Sequence, residues 1–170
     1  MSVKEEPIIV KHKGSPYTSV SFIPDYARFH MDDGLSTDIA KLIEKRAMDL
    51  FATSGGKVDI YYNGSKIELG NFTDYMKLYL DYGYETFVCS PNARWTVGAC
   101  LAPNYTFQQV SFVNGIYTSR GGKHVEYILN QITRKLCEYI EKKKKVKVNP
   151  NSIKEQLILF VRCDIENPAF

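Results

Sequence analysis

The chain has 170 residues, 44% of them hydrophobic and 24% charged, with a formal net charge of +3. That length supports one good core, or one core with a smaller satellite. No apolar run approaches the roughly 20 residues of a membrane-spanning helix, residues 1–7 lack the apolar region of a signal peptide, and so small a net charge does not by itself identify a nucleic-acid binder.

Residues 1–16 are polar and rich in Lys and Glu, without a sustained period, which predicts a flexible leader. Tyr-Thr-Ser-Val-Ser-Phe-Ile over residues 17–23 is β-branched and aromatic and stops at Pro24-Asp25, which predicts a strand and a turn. Ser36 precedes Ile39, Leu42, Ile43, Ala47 and Leu50 at helical spacing, and Gly55-Gly56 closes the segment, so a helix is expected over 37–52. Residues 58–62 and 66–69 flank Asn63-Gly64, the pair that supplies positive φ to a tight hairpin turn. A short amphipathic helix is expected over 74–80.

Strands are then predicted over 86–89 and 95–101, joined through Pro91-Asn92, and over 107–116, in the order of an antiparallel meander. From His124 onward, Val125, Ile128, Leu129, Ile132, Leu136 and Ile140 mark one apolar face of a helix roughly 30 Å long. The lysine run Lys142–Lys145 and the Asn149-Pro150 turn follow. A brief helical piece then leads to Leu-Ile-Leu-Phe-Val-Arg-Cys over 157–163, whose near-continuous apolarity predicts an interior strand.

The chemistry is sparse. Cys89, Cys100, Cys137 and Cys163 have no metal-ligand spacing and sit in apolar or periodic segments, as reduced core thiols would. His12, His30 and His124 belong to no nucleophile-and-acid pattern, and Asp32, Asp33 and Asp59 have no identifiable partner, so solvated surface or capping is their default. Ser-Arg-Gly-Gly-Lys-His over 119–124 lies between a strand and a helix. It could hold an anion on free N–H groups, or its glycines could serve only the geometry of the turn. Lys142, Lys143, Lys144, Lys145 and Lys147 complement a helix C-terminus, but four consecutive lysines exceed that need. They form a concentrated positive tip suited to phosphate backbones and blind to sequence.

Four segments, residues 17–25, 61–66, 107–125 and 165–170 (Ile-Glu-Asn-Pro-Ala-Phe), together resemble eukaryotic-type DNA topoisomerase II, a type IIA enzyme, over nearly the whole chain from Tyr17 to Phe170. The resemblance implies a division into residues 17–70, the C-terminal part of an ATPase domain, and 71–170, a transducer domain truncated before the family's Gln-Thr-Lys loop. It implies an α+β fold, a two-layer α/β sandwich with a mostly antiparallel sheet, helices on one face and a left-handed βαβ crossover.

Functionally, the resemblance implies part of an ATP-hydrolysing, nuclear isomerase that couples ATP turnover in an N-terminal gate to DNA cleavage and strand passage. Lys142, Lys143 and Lys144 match the family's DNA-contacting lysine loop, although Glu141 stands where relatives often continue the lysines. Thr18 matches a threonine near the nucleotide. The Asn, Asp and Gly motifs that bind ATP and Mg in the family are not found in these 170 residues, so the chain alone is expected to bind neither and to be catalytically inactive. The full enzyme is a homodimer, and this chain is expected to be a monomer. A stand-alone nucleic-acid-binding module of the same crossover fold is the alternative reading.

Overall fold

The computed structural model describes residues 5–31, 33–81 and 83–169; Asp32, named above, lies outside them, as do residues 1–4 and Phe170. The chain divides into two compact units, residues 1–36 and 37–170. In the first, residues 17–23 form no strand, contrary to the sequence expectation. Tyr17, Val20, Phe22 and Ile23 are all exposed. Strand propensity alone does not make a strand, because a ladder needs a partner for each backbone group. Among the unit's described residues the one regular element is a 3-10 turn, Ala27–Phe29, where Asp25 Oδ1 accepts from the Arg28 N–H at 3.2 Å.

The second unit begins with helix α1 (Thr37–Ser54). It buries Ala47, Asp49, Phe51 and Ala52, whereas Leu42, Ile43 and Leu50 of the anticipated apolar face are exposed. The helix is apolar on two sides, and the chain covers the side that carries Phe51. Strands β1 (Tyr61–Tyr62) and β2 (Ser65–Lys66) make the expected hairpin, with Asn63 at φ 48° and Gly64 at φ 78° supplying the turn. Asp59 pairs with Lys66 at 2.7 Å. Helix α2 (Phe72–Lys77) is capped by the Asn71 side chain, which accepts from the Asp74 N–H at 3.0 Å.

A five-stranded sheet follows: β3 (Thr86–Asn92), β4 (Trp95–Leu101), β5 (Gln108–Val113), β6 (Ile116–Tyr117) and β7 (Leu157–Cys163), in spatial order β3-β4-β7-β5-β6. It is not a meander. β7 inserts between β4 and β5, antiparallel to the first and parallel to the second, and the remaining pairings are antiparallel. The parallel pair requires a crossover, supplied by helices α3 (Lys123–Lys144) and α4 (Pro150–Lys154). Asn149 caps α4 and Pro150 occupies its first turn.

The central position of β7 explains its composition. Alternate residues serve opposite faces: Leu157, Leu159, Val161 and Cys163 join Val125 and Leu129 of α3 and Ile153 of α4, while Ile158 and Phe160 join Ala52 of α1 and Tyr75 and Met76 of α2. The chain is thus α+β with a mostly antiparallel sheet. α3 and α4 form the helical layer on one face, and α1 and α2 add a third layer on the other, beyond the single helical layer anticipated. On α3, Ile132 and Ile140 pack toward the core as expected, but Cys137 joins them while Leu136 stays 37% exposed. Cys89 is also exposed, on edge strand β3, rather than a core thiol.

Candidate nucleic-acid interface

Helix α3 has two unlike ends. At its start, Gly121 and Gly122 adopt φ of 71° and 143°, conformations that strain any other residue. Gly121 N–H donates to Thr118 O at 2.9 Å, and Val125 and Glu126 N–H donate to Gly122 O. The glycines therefore serve the turn itself. The Gln109 side-chain amide donates to Thr118 O at 3.2 Å and to Ser119 O at 3.0 Å, tying the turn to β5. A polar chain fixes the helix rotation: Ser111 Oγ lies 2.5 Å from Thr118 Oγ1, which lies 3.0 Å from His124 Nε2. Ser111 is fully buried, and burial holds the His124 pKa below that of a free histidine.

The other end is free of the sheet. Twenty-two residues make a helix about 33 Å long, while the seven residues of β7 span about 23 Å. α3 starts at the β5–β6 end and runs back along the strands, so its last turn or two overhang them. Leu136 is partly exposed, while Cys137 and Ile140 beyond it pack against the core cluster. Cys137 Sγ donates to Val148 O at 3.6 Å, so the returning loop also supports the helix. Lys142, Lys143 and Lys144 occupy the last turn and are all exposed. Lys143 Nζ lies 5.0 Å from the Tyr139 ring centroid, and Lys145 closes the helix at φ 58° with its N–H on Glu141 O at 3.0 Å. Glu138 and Glu141 line a shallow groove with Lys142 and Lys145.

On the opposite face of the sheet, α1 is joined to the hairpin that feeds α3. Arg46 donates to Gly115 O at 3.0 Å, and Lys45 Nζ stands 4.6 Å from the Tyr117 ring centroid. Asp49, 3% exposed, accepts from Lys45 at 2.9 Å and from the Tyr75 hydroxyl at 2.8 Å. Burial pulls the Lys45 pKa down, but the Asp49 hydrogen bond and Tyr79 together leave it above that of a free lysine. Burial, ahead of the Tyr79 hydroxyl and Asp49, pushes the Tyr75 phenol far above the ordinary range. Arg162, on β7, donates to Thr53 O at 3.1 Å and to Ala93 O at 3.0 Å. None of this network was foreseen. A charged residue in an amphipathic helix ordinarily signals its solvent side, and only the third layer makes the Asp49 side interior.

Thr18 is exposed, in the first unit. Among the described residues no three His, Cys, Asp or Glu side chains could together hold a metal ion.

A βαβ crossover beneath a mixed sheet, with a long helix ending in lysines, defines the class, and the family model for DNA gyrase B matches residues 60–170: the chain belongs to that family. Its relatives include DNA topoisomerase 2 of Penicillium chrysogenum, 42% identical over 95% of this chain and 11% of the relative, and DNA topoisomerase 2 of Saccharomyces cerevisiae, 38% identical over 100% of this chain and 13% of the relative. Among solved structures, the ATPase region of Saccharomyces cerevisiae topoisomerase II superposes with a TM-score of 0.75 at 36% identity, over 86% of this chain and 37% of that one. The ATPase and transducer domains of DNA topoisomerase II from Balamuthia mandrillaris give 0.77 at 34% identity, over the same shares. The chain thus spans only 11% to 13% of the length of these curated relatives.

Proposed function

We propose that this chain is the transducer region of an ATP-dependent type IIA DNA topoisomerase, joined to the end of its ATPase domain, and that it couples ATP binding and hydrolysis in an N-terminal gate to DNA cleavage and strand passage. Residues 17–70 belong to the ATPase side and 71–170 to the transducer. The supporting observation is the asymmetry of α3, fixed at its glycine end by Ser111, Thr118 and His124 and carrying exposed lysines on an overhanging tip. A rigid element fastened at one end and charged at the other can bias two sites at once, which coupling requires.

In this reading Lys142, Lys143 and Lys144 bind duplex DNA through its phosphates, ATP and Mg act in the full-length nuclear homodimer, and Thr18 approaches the nucleotide only there. The chain alone is a non-catalytic monomer. The test is the salt dependence of duplex binding by this chain. Each neutralised phosphate contributes a slope of roughly −0.9 in log affinity against log salt, so replacing the three lysines with alanine should remove about 2.7 from the slope. A slope untouched by the substitution leaves the lysines as a solvated helix terminus.

A further inference from the structure

The buried side of α3 is marked by Val125, Leu129 and Thr133. At 3.6 residues per turn, Lys123, Arg134, Lys135, Lys142 and Lys145 all lie within about 60° of the opposite direction. All five are exposed. Lys135 and Lys142 are seven residues apart and about 20° out of line, so their Cα atoms are separated by about 10.5 Å along the helix. With two flexible side chains, that separation suits phosphates on either side of a groove about 12 Å wide. Arg134 stands beside Lys135, with its guanidinium able to grip a phosphate bidentately.

The carboxylates within the same sector are Glu138 and Glu141, and the cations outnumber them. Glu138 pairs with Lys135 at 3.4 Å, and Lys135 is nevertheless 72% exposed. So exposed a pair has little hold on its lysine. Lys143 and Lys144 point about 100° and 200° away from Lys142 around the axis, so the terminal run spreads its charge around the tip, whereas the outer row keeps its charges on one side of the helix.

We infer that the duplex-binding surface is not confined to the tip but runs back along the outer face of α3, with Arg134 and Lys135 as additional phosphate contacts. The inference rests on the reading that the tip binds duplex DNA, and names the rest of that surface.

The test uses the whole chain and a 20-base-pair duplex of arbitrary sequence, with binding measured between about 50 and 200 mM salt. Four forms are compared: the parent, the tip variant with alanine at positions 142–144, Arg134→Gln with Lys135→Gln, and the combination. Five contacts give the parent a slope near −4.5, the tip variant near −1.8 and the Arg134→Gln/Lys135→Gln variant near −2.7, from roughly −0.9 per phosphate. Over that fourfold range of salt, the last difference narrows the loss of affinity by about 12-fold. Glu138→Gln, which frees Lys135, should tighten binding about two- to threefold at the low-salt end if Lys135 is a contact. Unchanged urea midpoints confirm that the exposed substitutions leave the fold alone.

An Arg134→Gln/Lys135→Gln slope equal to the parent's overturns the inference, and if the tip variant then loses the whole slope, the tip reading survives alone. A parent with no salt dependence sinks both. Equal affinity for a single strand of the same length overturns the assignment to a duplex.

Discussion

Gly98, at the centre of β4, is the place where one methyl group should tell most about how α2 is seated. A Cβ there would stand 2.9 Å from Met76 Cε, closer still to the Met76 sulfur, and 3.4 Å from Phe72 Cε1. Favourable contacts between non-bonded carbon atoms lie near 3.5–4.0 Å, so the thioether must move by about an ångström. Met76 is 0% exposed, enclosed with Tyr75, Phe112 and Phe160. It can yield only by adopting a poorer rotamer or by lifting α2. Overpacking of this kind costs about 1–3 kcal/mol, which for a chain of this length lowers the melting midpoint by roughly 2–12 °C. Urea unfolding of Gly98→Ala followed by tryptophan fluorescence measures it directly, since Trp95 is on the same strand. Combining Gly98→Ala with Met76→Ala should cost less than the two changes summed, because the truncated side chain vacates the space the new methyl group needs. A Gly98→Ala protein within about 0.5 kcal/mol of the parent, or strict additivity in the cycle, would refute the close seating of α2 on β4.

Three further outcomes follow from the network and the helix. Tyr75 has a raised pKa in the fold, so its stabilising contribution is complete below the unfolded value near 10 and is lost above it, as the unfolded chain alone ionises; Tyr75→Phe should flatten the alkaline arm of a pH–stability curve. His124 has a depressed pKa, so its contribution is present above about 6.5 and fades as the pH falls, because the unfolded state takes the proton first; His124→Gln should reduce the slope below pH 6.5, and an unchanged slope would remove His124 from the account. Ile132, only partly buried against the core, should cost about 1–2 kcal/mol as alanine, below the 2–5 typical of fully enclosed sites, and a loss within error in urea unfolding would place it on the wrong face.

Local signals carried much of the fold. Asn63-Gly64, the apolar period of α3, the Asn149-Pro150 cap and the unbroken apolar run of β7 each specify an element through chemistry confined to a few neighbouring residues. What was not legible depends on partners distant in the chain. Nothing local says that β7 slots between β4 and β5, since an interior strand is apolar on both faces wherever it pairs. The segment over residues 17–23 has the propensity of a strand but no ladder among the described residues. Cys137 rather than Leu136 joins the core, where its thiol meets Val148 O of the returning loop, a contact that periodicity does not show. Of the candidate site, the lysine tip was readable as a charge run, whereas the outward row through Arg134 and Lys135 emerges only once the buried side of α3 is fixed.

The central claim, that α3 links DNA to ATP turnover, is tested most directly in a full-length enzyme carrying this region, by measuring ATP hydrolysis with and without duplex DNA after alanine replaces Lys142, Lys143 and Lys144. The account predicts a large loss of the DNA-stimulated increment with basal turnover nearly intact, because the substituted residues are exposed at the end of the helix opposite the turn that fixes its start. Equal loss of basal and stimulated rates, or full retention of stimulation, would contradict it.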